Sequence, residues 1–199
     1  MSSQVTLKNI TSCSKEEQYL LRKVRNQQSV RQSMYTDHEI SEEEHRSWLE
    51  KCYWNDKNAE SSTQSVFIVF IDHKVSGVVS VNSIDRQHKK ADWAFYLDEN
   101  LRGGLGAILE YNFIDFLFDQ YDIEKLNCEV IETNPSVVKL HKKFGFIEEG
   151  FRRSNIIKNE KRIGVHFLGL TKEDWNENKF DFYKKYKKFL DNHTVNISE

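Results

Sequence analysis

The segment Leu101-Arg102-Gly103-Gly104-Leu105-Gly106-Ala107 constrains this chain more than any other. It lies between a predicted strand at residues 93–97 and the long apolar-faced helix that it opens. Small residues at Gly103, Gly104, Gly106 and Ala107 leave a run of backbone N–H groups uncrowded by side chains. Those amides converge on a helix N-terminus, at the positive end of the macrodipole, and such a loop suits an anion such as a pyrophosphate. The same glycines also suffice for a tight strand-to-helix turn with no ligand. It is not a Walker loop, because no Lys-Ser or Lys-Thr pair follows, and the Rossmann spacing G-x-G-x-x-G is absent.

Around this loop the periodicity predicts a first strand at residues 5–10 and a helix at 15–26 that turns Tyr19, Leu20, Leu21 and Val24 to the core. A short helical piece at 29–34 comes next. Ser41-Glu42-Glu43-Glu44 is a capping box opening a helix with His45, Trp48, Leu49 and Cys52 on one face. Apolar runs at 66–71 and 75–85 flank Asp72-His73-Lys74, a hairpin signal. A further strand is expected at 90–97. Leu105, Ile108, Leu109, Phe113, Phe116 and Leu117 then recur at helical spacing. A strand at 126–131, a helix at 137–144 and a strand pair at 146–157 and 161–170 complete an α+β domain around a mixed sheet. We expect that domain to cover residues 1–171, followed at 172–199 by a charged amphipathic helix and tail. In that helix Phe182, Tyr186 and Phe189 share one face, which docks on the domain or on a second copy in a homodimer.

The 199 residues suffice for one well-filled core, and 29 basic against 31 acidic residues give no polyelectrolyte bias toward nucleic acid. No apolar run approaches the ~20 residues of a membrane span and the N-terminus has no signal-peptide core, so a cytoplasmic protein is expected. Cys13, Cys52 and Cys128 are odd in number and far apart, which indicates neither a disulfide framework nor a metal site.

Asn134-Pro135-Ser136-Val137-Val138-Lys139-Leu140-His141-Lys142-Lys143-Phe144-Gly145-Phe146 resembles the N-x-x-A-x-x-L-Y-x-K-x-G-F segment of the GCN5-related N-acetyltransferase superfamily. In that family a G-x-G/A loop grips the pyrophosphate of acetyl-CoA. Gly104-x-Gly106 keeps the loop, Leu101 stands where Gln or Arg is usual, and Arg102 offers a neighbouring charge. The second segment keeps Asn134, Leu140, Lys143, Gly145 and Phe146, but His141 replaces the tyrosine. The resemblance implies a mixed, mostly antiparallel sheet flanked by helices, with acetyl-CoA as the acetyl donor. It places Arg102, Gly103, Gly104, Leu105, Gly106 and Ala107 at the pyrophosphate, and Asn134 and Lys143 beside the CoA. The thioester would lie along Phe95, Tyr96 and Leu97, where a backbone N–H supports the oxyanion.

The acceptor must be read from the N-terminal third, because the fold does not fix it. Arg25-Asn26, Met34-Tyr35, His38, His45 and Trp48 bring cations and aromatic faces together. Such a set suits a nucleotide-sugar diphosphate, and it equally describes ordinary packing and a solvated arginine. Arg25-Asn26, Met34-Tyr35, Ile40-Ser41, His45 and Trp48 are similar to the N-acetyltransferases of pseudaminic acid biosynthesis, and the similarity continues through residues 77–83, Phe95-Tyr96, Glu129-Val130 and Asn134. Those enzymes acetylate the 4-amino group of a UDP-4-amino-4,6-dideoxy sugar. The resemblance implies Arg25 and His45 on the UDP moiety, and Met34, Tyr35, Trp48, Asn82 and Tyr96 around the sugar. A protein N-terminus is the competing acceptor, and an inactive acyl-CoA-binding module the competing class. For the chemistry, Glu129 is the candidate base, ahead of Asp92. His141 either protonates the departing thiolate or only lines the cofactor site. Direct transfer needs no acetyl-enzyme, so Cys128 is not expected to act as a nucleophile.

Overall fold

Apolar alternation builds one sheet whose two faces bury separate clusters. The structure, a computed structural model, describes residues 3–101 and 104–198; Arg102 and Gly103 of the glycine loop lie outside the described residues. Its elements run β1 (Ser3–Asn9), α1 (Lys15–Arg25), α2 (Gln28–Gln32), α3 (Glu42–Lys57), β2 (Ser65–Ile71), β3 (Lys74–Asp85), β4 (Lys90–Leu97), α4 (Leu105–Gln120) and β5 (Lys125–Ile131). They continue with α5 (Pro135–Lys143), β6 (Ile147–Lys158), β7 (Lys161–Thr171), α6 (Lys172–Leu190) and β8 (His193–Ser198). The eight strands order as β6-β7-β5-β4-β3-β2-β1-β8. Pairing is antiparallel except for β4 with β5 and β1 with β8, which agrees with the expected mixed, mostly antiparallel sheet.

The expected hairpin after β2 forms through Asp72 and His73, both at positive φ, as a two-residue turn matched to strand twist requires. The expected capping box forms too, with Ser41 capping α3 and Glu44 reaching back. Ser14 and Glu17 make a second one at the start of α1. Helix α1 turns differently from the expected register. Gln18, Leu21 and Val24 face inward, whereas Tyr19 and Leu20 are 43% and 38% exposed. The i, i+3 spacing of the three inward residues defines the buried stripe, and Tyr19 instead lies under the cations of Arg22 and Lys23.

Helix α4 is apolar almost all round because it is covered twice. One side meets the sheet through Phe67, Trp93 and Leu126, and the other meets α6. Trp175 of α6 is fully buried beside Tyr111, and its indole N–H donates to Asp115 at 2.9 Å. Phe182 and Tyr186 pack on Phe144. The expected C-terminal helix therefore docks on its own domain. In the segment expected as a tail, β8 lies parallel to β1, from Ser3 opposite His193 to Lys8 opposite Ser198. Among the described residues no helix is long and apolar enough to cross a membrane.

Trp175→Ala should cost about 3–5 kcal/mol of unfolding free energy, the usual loss for emptying a buried aromatic site. Denaturant unfolding measures it, and a loss below about 1 kcal/mol would show that α6 contributes little to the core.

Candidate active site

β4 and β5 are hydrogen-bonded only from Lys90 opposite Lys125 to Asp92 opposite Asn127. Beyond that point the parallel strands part. The opening on β5 begins at Cys128, because Leu126 and Asn127 remain paired with β4. Each parted strand keeps backbone groups with no partner across the gap, and those groups are available to an extended ligand.

A groove of about 530 Å³ occupies this opening, walled by residues 93–99 on β4 and its exit, by Cys128, Glu129 and Val130, and by Asn134, Val137 and His141 of α5 and its cap. A second chamber of about 350 Å³ lies between α3, β2, β3 and the segment after α2, lined by Arg25, Met34, Ile40, Glu44, His45 and Trp48 over an apolar floor that includes Val66 and Val78. Met34, Ala94, Phe95 and Tyr96 line both cavities, so the two meet across β4. An elongated ligand in the groove and a second ligand in the chamber would touch end to end.

The sequence explains how the chamber wall is held. Asn26 bonds Ile40 twice, its amide donating to the Ile40 carbonyl at 2.9 Å and its carbonyl accepting from the Ile40 N–H at 2.8 Å. That clamp fixes both ends of the segment carrying Met34 and Tyr35. Arg25, one residue earlier, points into the chamber. Its Nη2 donates to Thr36 at 2.8 Å, while Nη1 is buried with no partner among the described residues. A buried guanidinium N–H without an acceptor is costly, and an incoming oxygen relieves that cost.

Other expected site residues take varied places. Tyr96 and Phe95 line both cavities and Leu97 lines the groove. Tyr35 stands at the groove rim, where its hydroxyl donates to Glu129, and does not line the chamber. Burial and that carboxylate hold the phenol protonated. Trp48 lines the chamber and sits beside His45, with ring centroids 5.5 Å apart. Asn82 lies one step behind the wall, bonded to Gln64 at 2.6 Å and Ser80 at 2.9 Å, and both of those line the chamber. Lys143 is exposed on the last turn of α5, away from the groove lining.

His45 differs from its expected phosphate contact. Its Nε2 donates to the Gln18 carbonyl at 2.9 Å, and burial lowers its pKa and keeps the ring neutral. The chamber is left with the Nδ1 lone pair, which attracts a hydroxyl or N–H and repels a phosphate oxygen. Arg25 is left as the one cation among the chamber's described lining residues. Cys128 lines the groove, but burial raises its thiol well above the ordinary value, so it offers no thiolate at neutral pH.

The glycine loop also has a reason that the sequence hid. Gly104 caps α4 at φ +77°, in the left-handed region, with no side-chain cap, so the first amides of Leu105, Gly106 and Ala107 meet no capping side chain. A Cβ on Gly104 would lie 2.8 Å from the Phe189 ring of α6. The glycine is required by its left-handed backbone and by the close approach of Phe189 from the C-terminal helix. At Gly106 a Cβ would sit 3.0 Å from Leu140, which ties α4 closely to α5.

Sequence reasoning missed two residues. Lys158, at the tip of β6, is buried and donates to the carbonyls of Arg31 at 2.7 Å, Gln32 at 2.8 Å and Met34. No local pattern marks that long-range contact. Glu110 is buried behind His141, its Oε1 2.8 Å from Nδ1. A signal did exist for it: a carboxylate at the i−3, i−4 and i−7 positions of Phe113, Ile114 and Leu117 interrupts the apolar face of α4.

With this geometry in place, comparison with known proteins is decisive. A family profile described as an acetyltransferase (GNAT) domain matches residues 10–167. The chain belongs to the GNAT acetyltransferases. It is 30% identical over 142 residues, 71% of this chain and 84% of the relative, to acetyltransferase PseH of Campylobacter jejuni serotype O:23/36. It is 24% identical over 110 residues, 55% of this chain and 59% of the relative, to spermidine N(1)-acetyltransferase of Escherichia coli K12. Among solved structures, spermidine N-acetyltransferase of Vibrio cholerae with CoA and spermine superposes with a TM-score of 0.73 at 21% identity, covering 87% of this chain and 98% of that one. RimL, a ribosomal L7/L12 α-N-protein acetyltransferase, does so at 0.72 and 18%, covering 83% and 92%. The protein is an acetyl-CoA-dependent N-acetyltransferase.

Gly104→Ala should destabilise the protein by more than about 1 kcal/mol, from left-handed strain plus the ring clash. In a Phe189→Ala background the clash share disappears, so a double-mutant cycle by denaturant unfolding should show coupling; strict additivity would contradict the contact. For His45, the lowered folded-state pKa gives stability that is complete above about pH 6.5 and is lost as pH falls through the folded value. His45→Gln should therefore flatten the decline in unfolding free energy between about pH 6.5 and 5, and an unchanged slope would count against a neutral buried ring.

Proposed function

We propose that the protein transfers acetyl from acetyl-CoA to the 4-amino group of a UDP-4-amino-4,6-dideoxy sugar, directly and in a ternary complex. The observation that carries this reading is Arg25, the one cation among the chamber's described lining residues, with Met34, Trp48 and Tyr96 in the walls beside it. A diphosphate oxygen satisfies the guanidinium, and the apolar and aromatic surfaces suit a deoxy sugar or a base. The likeness to PseH supports the same reading. A polyamine fits less well. Among the described residues the chamber's one carboxylate, Glu44, is already committed to the Ser41 backbone and to His38, which hold its pKa down at about 2.

CoA would enter between β4 and β5, with its pyrophosphate at the start of α4 and its arm past Asn134. The amine approaches from the chamber side of Phe95 and attacks the thioester carbonyl. A backbone N–H at Phe95–Leu97 steadies the oxyanion, which preorganised amides do without reorganising. Glu129, at the groove rim, receives the amine proton. His141, in the groove wall, protonates the departing thiolate, in the place where the family resemblance puts a tyrosine.

An acetyl-CoA consumption assay against UDP- and dTDP-amino sugars, spermidine and an Ala-starting peptide tests the acceptor. UDP-amino sugars should be preferred; preference for the polyamine or the peptide would overturn the reading. Arg25→Ala should weaken UDP-sugar binding by about 1.5–3 kcal/mol and leave acetyl-CoA affinity intact, since a charged hydrogen bond to phosphate is lost. His141→Ala should lower turnover more than about tenfold with near-normal affinity for both substrates.

A further inference from the structure

The interior of α4 contains a carboxylate that the packing of helix on sheet does not need. Glu110 is 0% exposed and shares its helix face with Phe113, Ile114 and Leu117, all equally buried. A carboxyl group in such surroundings is expensive in either protonation state, because it surrenders its hydration for few partners. It has His141: Oε1 lies 2.8 Å from Nδ1, and Oε2 is buried with no partner among the described residues. His141 is 4% exposed, set among the rings of Trp93, Phe95 and Phe146 at centroid distances of 5.4, 6.2 and 5.2 Å, and it forms part of the groove wall.

We propose that Glu110 is a positioning residue for the transfer reaction: it anchors Nδ1 of His141 in the core and leaves Nε2 as the nitrogen that serves the groove. The proposal rests on His141 acting as the acid. The logic is that of a histidine oriented by a buried carboxylate, which fixes the tautomer and stabilises the imidazolium. It also gives the histidine a reason to come with a partner. A phenol at position 141 would hold its proton at neutral pH without help, whereas an imidazole must be charged before it can give one away and keep the other.

The proton balance closes over one turnover. As the C–N bond forms, the surplus amine proton goes to Glu129. As the C–S bond breaks, sulfur takes the Nε2 proton. The ring becomes neutral with its Nδ1 proton still donated to Glu110; Glu129 then releases the amine proton to solvent, and a proton from solvent restores Nε2. Burial raises the Glu110 carboxyl above its ordinary value, and the facing imidazole offsets only part of that rise. Around the pair, β5 presents Cys128, whose buried thiol stays neutral, with Asp92 of β4 and Glu129 acting on that thiol from farther out. On α5 the neighbouring ammonium of Lys142 is held by Glu148, and Lys143 is exposed. The remaining faces are Trp93, Phe95 and Phe146, which carry no charge.

Glu110→Gln keeps the volume and one hydrogen bond while removing the charge. We expect turnover at pH 8 to fall about tenfold, as for a mispositioned acid, with KM for acetyl-CoA and acceptor unchanged. The falling limb of the kcat profile should move about one pH unit lower, since a carboxylate beside the acid is gone. NMR titration of the His141 ring in the free protein should move in the same direction. An equal loss at every pH, or an unmoved ring titration, overturns the proposal. A moved titration with unaltered turnover sustains the Glu110–His141 coupling and overturns His141 as the acid. Should Glu110→Gln fold poorly, Glu110→Met removes charge and hydrogen bond together and is read by the same two measurements.

Discussion

The parting of β4 and β5 is the constraint on which the rest of this structure depends. Parallel strands that stayed paired would seal the sheet and leave nowhere for an extended cofactor. Three paired positions hold the strands together at one end. From Trp93 and Cys128 onward, the sheet's continuity passes to the elements around the gap. α4 and α5 close it from one face, and Gly106 lets them come together by leaving only Leu140 and Phe95 in its path. The opening is thus a stable feature of the core, built from helices that would have to separate for it to close.

On the chamber side the wall between α2 and α3 belongs to a segment with little regular structure, held by long-range polar contacts. Asn26 binds Ile40, Arg31 donates to the carbonyls of Asn26 and Asp37, and Lys158 gathers the carbonyls of Arg31, Gln32 and Met34. Met34 then faces both cavities with its backbone fixed from the opposite end of the sheet. Buried polar networks of this kind specify one conformation where apolar packing alone would permit several. The placement of Met34 consequently depends on the β6–β7 hairpin, although none of its described residues lines either cavity.

The chain advertises the parts of this design that repeat along a helix or strand. The alternating runs, the capping box at Ser41 and the apolar spacing of α4 all act within a few residues, so their physics is visible in order of sequence. The glycine loop and the segment from Asn134 to Phe146 could be placed at a helix start for the same reason. Features that join distant residues leave no such local trace. Tyr19 and Leu20 look as apolar as Leu21, and only the docked orientation of α1 separates them. Phe189 explains Gly104 from 85 positions away, by the difference of their numbers. His45 carries the residue type of an anion ligand, yet its Nε2–H is donated to the carbonyl of Gln18. Glu110 was legible in principle, as a charge on an otherwise apolar face, and its meaning required His141 beside it.

The parallel pairing of β8 with β1 carries a consequence for synthesis in the cell. The residues that cover the open edge of β1, His193–Ser198, are the last of the described chain to leave the ribosome. At a translation rate of roughly 5–20 residues per second, that edge waits on the order of ten seconds or more after its own emergence before a partner exists for it. An unpaired strand edge is a template for other nascent chains during that interval. Lys8 and Gln4 on β1 place polar side chains beside an otherwise apolar Val5 and Leu7, which limits such pairing. Crowded polysomes would therefore expose this protein to misassembly through its first strand, before it has acquired the last.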